Sequence, residues 1–469
     1  MTGPVGMIET NTRLASKHLA NRDSSPSRLD GFVHRWGGPW VAVTLAISII
    51  LGGATHGDAV STLIVRLVCV PLLVAGVARL PRSPSRQFTF AVWLLAAAAM
   101  LPLLQVIPLP PALWQALPGR QFLIAGDRLA GLHGLWRPLS LTPDATLNML
   151  PALAIPAAFF LATASLDDKR RRILSLVILL CALGAVVLGG LQVLGGPEST
   201  LRFYAITNAD SAVGFFANRN HQAALLVAGI PCAAYWALWL LRGRGMAMPA
   251  LIAIFLGLIF VLIIGLGVTR SRAGVVLGLA AIVGSLAMML RTRNVGARPL
   301  VLGFIGAIVT GAVTVGLFSL SGLLDRFQSS DAMTNGRLSV YPTIAKAASS
   351  FWPAGAGFGA FVPVYQMFEP VNSISGIFLN HAHNDYLELW LEGGLPAVLL
   401  VVAGLAWVGW TGLGVWSARS TNDRDLPRAA SVIVLALLVH SMVDYPVRTA
   451  AIAAVFGVCC GMMIPSRER

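Results

Sequence analysis

Residues 378–396, FLNHAHNDYLELWLEGGLP, set His381, His383, Asn384, Asp385, Glu388 and Glu392 directly before an apolar run. Histidine titrates near neutral pH, so His383 can take a proton from an attacking hydroxyl, a role closed to arginine. Arginine instead offers a planar, permanently charged fork that matches phosphate oxygens. Arg219 in FFANRNHQAA (215–224), Arg272 in TRSRAG (269–274) and Arg337 in TNGRLSV are the candidates for that task. Asp444 and Arg448, in HSMVDYPVR (440–448), are expected to support the site by pairing with an arginine or with each other. Asn384 and Asp385 are expected to hold the imidazole or to position the helix that follows, with Glu388 and His221 as reserve bases. Glu388 and Glu392, four residues apart on one helical face, read as solvated charges. His-x-His with a nearby carboxylate also supplies metal-ligand types, although that pair faces one way on a strand and here the chain enters a helix.

These groups stand out because the chain is so apolar. Of its 469 residues 56% are hydrophobic and only 12% charged, with a mean hydropathy of +0.75, a composition that excludes an ordinary soluble domain. The fold class is all-α, a polytopic integral membrane protein. Apolar runs near 36–54, 59–78, 88–107, 146–166, 173–194, 220–241, 249–268, 273–290, 300–318, 395–416, 429–445 and 449–464 predict about twelve transmembrane helices, each long enough for a hydrocarbon core of about 30 Å. The 31 residues of 386–416 would measure about 46 Å as one helix, so a break is expected at Gly393, Gly394 and Pro396.

Basic residues give the orientation. With the amino terminus inside, the tail, the short loops on that side and the carboxyl end carry 22 Lys and Arg against 8 Asp and Glu, which accounts for the whole net charge of +14. Lys and Arg are retained in short cytoplasmic loops, so the pI of 10.6 is a topology signal and needs no nucleic acid. Residues 1–35 read as a basic cytoplasmic tail without the apolar centre of a secretory signal, and 36–469 as a single bundle. Two long segments, 108–145 and 319–385, fall outside the membrane, and the second carries an amphipathic run over Arg337–Ser350 before a Gly/Pro-rich turn. The five cysteines lie in or at the ends of apolar runs and give no disulfide or zinc pattern. Arg66, inside the second span, is costly unless it pairs with Asp58 or snorkels.

Placed at the membrane rim, the histidine and arginines suit a reaction at an anionic lipid head group. HAHNDYLELWLEGGLPAVLL resembles the signature of the bacterial O-antigen ligase and O-antigen polymerase superfamily, in which a histidine precedes a leucine, an acidic residue and a Gly-x-x-Gly-like turn. The turn here is Gly393-Gly394-Leu395-Pro396, a departure at its last position. PLSLTPDAT, GFFANRNHQAALL, SRAGVVLG, NGRLSVYPTIAKAASSFWPAGAGFGAF and HSMVDYPVR, in that order along the chain, are also similar to that family, over roughly residues 100–465.

The resemblance implies an inner-membrane glycosyltransferase with a periplasmic active site and both termini cytoplasmic. It moves a glycan from undecaprenyl diphosphate to an acceptor, such as lipid A-core for a ligase or another carrier-linked glycan for a polymerase. By motif position Arg219, Arg272 and Arg337 would hold the diphosphate and His383 would act at the acceptor hydroxyl, with no metal or other cofactor. The ligase reading leads and the polymerase is the alternative. A small-anion transporter, the alternative of another class, would place its groups near the midplane, whereas the charges outside the cytoplasmic segments gather at one rim and Arg66 is the exception. A structural envelope partner would leave the Arg/His clusters unused.

Overall fold

The computed structural model describes residues 28–55, 60–80, 83–242, 248–291, 302, 305–306, 308–309, 332–374, 379–417 and 424–465. Its helices include α1 (Arg28–Leu51), α2 (Val60–Ala78), α3 (Arg86–Gln105), α4 (Gln121–Leu129), α5 (Met149–Ala164), α6 (Asp168–Leu194) and α7 (Arg219–Arg242). They continue with α8 (Met248–Thr269), α9 (Arg272–Arg291), α10 (Ala332–Ser350), α11 (Phe361–Phe368), α12 (Asp385–Ser417), α13 (Asp425–His440) and α14 (Ala450–Met463). Every expected span within the described residues coincides with a helix. Most of 300–318, the tail up to residue 27, Asp58 and residues 319–331 lie outside them. Seven helical stretches among the described residues are long and apolar enough to cross a membrane. The chain is a helical, multi-pass membrane protein.

The bundle is built around α7, whose residues are nearly all buried from Asn220 to Leu238. It packs against α6, α8, α9 and α13, while α5 lies between α2 and α14. A helix ends with carbonyls that lack partners, and one buried side chain serves two such ends. Arg171 donates to Thr163 O at 3.1 Å and Ala164 O at 2.9 Å at the end of α5, and to Ile464 O at 2.7 Å after α14. That cap closes the end of the bundle opposite residues 378–396.

At the other end residues 108–146 join the described residues 351–361 in one layer. Residues 108–145 hold α4 and an antiparallel pair, β1 (Pro108–Leu109) with β2 (Arg137–Pro138). Thr146 Oγ1 donates to Phe358 O at 2.7 Å, and Leu141 N to Ala356 O at 2.9 Å. The buried Arg120 donates to Leu139 O and Gly355 O and lies over the Phe351 ring; burial lowers its pKa to about 10, which leaves it charged at neutral pH. Gln105, the last residue of α3, donates to Glu392 O at 3.0 Å and accepts from Phe358 N at 3.1 Å. This layer therefore grips the first two turns of α12.

The expected break in α12 falls at Gly394, which has φ 58° and ψ −149° inside otherwise helical chain. A Cβ there would meet Pro353 O at 2.2 Å, so both the dihedral and the close backbone approach require glycine. Residues 385–393 form a separate short helix, and the membrane-crossing part starts after it.

Candidate active site

Asn384 opens α12. Its Oδ1 accepts from Tyr386 N and Leu387 N, both at 3.1 Å, in the manner of an N-cap. It positions the helix rather than the imidazole. Asp385 does not reach His383 either. Its Oδ1 accepts from Arg448 Nε at 2.6 Å, and its own N–H donates to Ser441 O at 2.9 Å.

Glu388 and Glu392 are each only 1% exposed, which overturns their reading as solvated charges. Both are turned inward by the grip of the polar layer on this short helix. The Glu388 carboxylate spans the HAH loop, bonding His381 Nδ1 at 2.8 Å and Ala382 N at 2.8 Å, and pairs with Arg448 at 3.0 Å. Glu392 Oε1 accepts from Gly359 N and Phe361 N. Arg448 thus faces Asp385, Glu388 and, at 3.9 Å, Glu392. Burial would lower its pKa, but Glu388, Asp385 and Glu392 together reverse that and hold it above the ordinary arginine value. Arg448 pairs with these carboxylates, and no Arg448–Asp444 bond forms among the described contacts. Glu388 is thus held between His381 and Arg448.

His383 lies in the left-handed region, with φ 49°; Arg270 shares that property, and they are the two non-glycine residues with positive φ among the described residues. Such a conformation is uncommon for side chains with a Cβ and is often found where function fixes the chain. Tyr341 Oη donates to His383 O at 3.1 Å. The imidazole Nδ1 sits 2.9 Å from Asp444 Oδ1, and Asp444 is fully buried. A buried carboxylate at Nδ1 favours the tautomer with its proton there, leaving Nε2 as the acceptor.

Asp444 in turn accepts from Asn220 Nδ2 in α7 and from Tyr445 N, and Asn220 Oδ1 accepts from Ser271 Oγ at the start of α9. Four segments distant in sequence meet in this network: 218–222, 271–274, 381–385 and 444–448. Among the described residues no cluster of three or more His, Cys, Asp and Glu side chains is arranged for a metal.

Arg219 is the first residue of α7 and Arg272 the first of α9, so both stand one residue from the Asn220–Ser271 bond. Arg219 lies 3.9 Å from Asp210, which Arg270 also approaches at 3.7 Å. The backbone of Arg337 lies in α10, and its side chain lies outside the described residues. His221 is buried inside α7, edge-on to the Tyr445 ring at 5.0 Å, and neither ring nitrogen has a hydrogen-bond partner among the described residues. It is fully buried and packs against the Tyr445 ring.

A cavity of about 670 Å³ runs from the Arg448–Glu388 cluster into the bundle. Its polar end carries Asn380, His381, Glu388 and Arg448, and its apolar walls come from α3, α5, α12 and α14. Arg66 also lines it, with a buried Nε that has no partner among the described residues. His381 lines this cavity and His383 does not. The Tyr445 ring lies beside both imidazoles, with centroids 4.3 Å from His381 and 5.1 Å from His383.

Sequence reasoning passed over Asn220, Ser271 and Tyr445. All three stand beside residues it singled out, and the signal available was the unusual density of polar side chains at the starts of apolar runs.

No curated protein sequence matches the chain. Residues 257–402 match the family model described as O-antigen ligase, a stretch that carries Arg270, Arg272, Arg337, both histidines of the HAH loop and the break at Gly394. The match supports membership of the O-antigen ligase superfamily.

Proposed function

We propose that this protein is an inverting, metal-independent glycosyltransferase of the bacterial inner membrane, moving a glycan from undecaprenyl diphosphate to an acceptor hydroxyl on lipid A-core. The polar end of the bundle then faces the periplasm and both termini the cytoplasm. The observation that carries the reading is the His383–Asp444 pair at 2.9 Å, held at the membrane rim between helix starts that bear arginines. In this reaction His383 Nε2 accepts the acceptor hydroxyl proton as that oxygen attacks the anomeric carbon. The bond from that carbon to the phosphate oxygen breaks, and its electron pair leaves with the diphosphate.

Cations suit the departing group for a second reason. A helix start carries about half a positive charge, which normally disfavours arginine as a first residue. Arg219 and Arg272 both occupy such positions, a combination that an anion between them would stabilise. Arg337 would complete the set. The cavity of about 670 Å³ has the apolar walls a polyprenyl chain needs, and Arg66 would meet the phosphate from within it.

The test is transfer by the purified full-length protein from undecaprenyl-diphosphate-linked glycan to lipid A-core. Transfer to a second carrier-linked glycan instead would make it a polymerase. Absence of both reactions, together with uptake of a small anion into vesicles, would replace the reading with transport.

A further inference from the structure

At the end of the bundle opposite the HAH loop, α6 and α13 start and α7, α9 and α12 finish, and they bring a surplus of cations together. Asp425, fully buried, accepts from Arg242 of α7 and, at 3.1 Å, from Arg428 of its own helix. Arg428 stands over the Trp416 ring of α12 at 5.9 Å, and Trp416 Nε1 donates to Ser431 Oγ of α13 at 2.9 Å. Arg291, the last residue of α9, and Arg424 both lie close enough to act on the charge of Arg428. On the α6 side Arg172 lies over the Trp239 ring at 4.8 Å, and Arg172 and Asp168 share the surroundings of Tyr235 with Arg242 and Asp425. Among the described residues the cluster therefore sets five arginines against two aspartates. The Nε of Arg242 is buried without a hydrogen-bond partner among the described residues.

We propose that this cluster binds the headgroup of an anionic phospholipid, with its phosphate between Arg291 and Arg424 and its acyl chains along Leu290 and Leu413. Orientation in the membrane requires only that Lys and Arg be retained in the loops on this side. Here Arg242 and Arg428 are instead drawn into the bundle, where their side chains are 15% and 0% exposed, and a buried surplus of positive charge is costly until an anion offsets it. Guanidinium groups match phosphate oxygens, and basic pockets between membrane helices hold anionic headgroups in this way. The outer members of the cluster are accessible, since Arg291 is exposed and Arg424 half-buried. Leu290, 70% exposed, adjoins Arg291, and Leu413, 72% exposed, stands three residues before Trp416, so apolar surface for the chains borders the cations in both α9 and α12. Tryptophan favours such a junction because its ring is apolar and its N–H is polar. The site lies at the opposite end from His383 and does not depend on the transferase reading.

The experiment titrates the full-length protein, purified in detergent, with phosphatidylglycerol and with phosphatidylethanolamine, and reads bound lipid by native mass spectrometry. The wild type is expected to prefer the anionic lipid by about tenfold or more. Arg291→Ala combined with Arg424→Ala should abolish that preference. Arg82→Ala combined with Arg86→Ala, which removes two cations from the chain at the start of α3, should keep it within about twofold. A wild type that does not discriminate overturns the site, and so does an equal loss in both pairs, which would mean a diffuse field. Inorganic phosphate separates the two sources of the anion. If it raises the unfolding temperature of the wild type as much as phosphatidylglycerol does, the ligand is a free anion and the lipid is overturned. Should the first alanine pair fail to fold, Arg291→Gln alone decides: phosphatidylglycerol binding weaker by about threefold or more supports the site, and unchanged binding overturns it.

Discussion

Ser271 Oγ donates to Asn220 Oδ1 at 2.8 Å, so the first turn of α9 is bonded to the first turn of α7 next to Arg272 and Arg219. Ser271 Oγ also accepts from Gly274 N at 3.0 Å, capping α9. Ser271→Ala would leave both Asn220 Oδ1 and the Gly274 N–H without this partner. We expect a loss of about 1–3 kcal/mol of stability, read as a lowered unfolding temperature in detergent, and a larger loss of transfer than of insertion. Unchanged values for both would show that the two helix starts are fixed by apolar packing alone.

Arg219→Lys and Arg272→Lys test whether these positions bind phosphate. Each keeps its charge and loses the bidentate fork. The expected result is a raised donor KM and at least tenfold slower transfer, with normal insertion. Full activity in both lysine variants would reduce these arginines to helix-end charges. A structure with donor bound should show both guanidinium groups within about 4 Å of phosphate oxygens.

His383→Ala should bind donor yet transfer about 10²–10⁴-fold more slowly, the range typical of a positioned base. Asp444→Asn, which keeps the shape and removes the acceptor of the Nδ1 proton, should fall in the same direction. His381→Ala should retain more activity, because Glu388 is also held by Arg448 and Ala382 N. If the His381 variant proves the weaker of the two, the base is the imidazole that lines the larger cavity.

Gly394→Ala should be more damaging than its size suggests. It strains a positive φ and drives a methyl group into Pro353 O. We expect the variant to insert while losing protease resistance in the polar layer, along with transfer. Restoration of neither property by a stabilising lipid would separate this local effect from general instability.

Orientation can be read without any assay of chemistry. A phosphatase fused near Ser330 should be active and one fused near Arg293 inactive, as the asymmetry of basic residues requires. The reverse pattern would put His383 on the cytoplasmic side and remove the periplasmic site.

Much of the architecture could be read from the chain because lipid imposes a simple rule. A run of about 20 apolar residues must satisfy its backbone internally as a helix, and the break at Gly394 followed from length and from two adjacent glycines. Partner choice among the polar residues was less legible. Asp385 adjoins His383 through Asn384, yet the pairing falls to Asp444, 61 residues away from His383, because α12 turns Asp385 toward Arg448. Glu388 and Glu392 looked solvated because i,i+4 spacing reveals which residues share a face and is silent about what covers that face. Here residues 354–361 and Arg448 cover it.

The grip of Gln105 on Glu392 O and Phe358 N has a mechanical consequence. The first two turns of α12 are suspended from the polar layer, while the rest of α12 follows the hydrocarbon, and Gly394 is the joint between them. A thicker or thinner bilayer would tilt the crossing half about that joint and leave the HAH loop in place. Transfer rates in nanodiscs of 14-carbon and 18-carbon lipids should therefore agree within about threefold, since mismatch costs only fractions of a kcal/mol per Å; a steep dependence on chain length would mean that the joint transmits strain to the histidines.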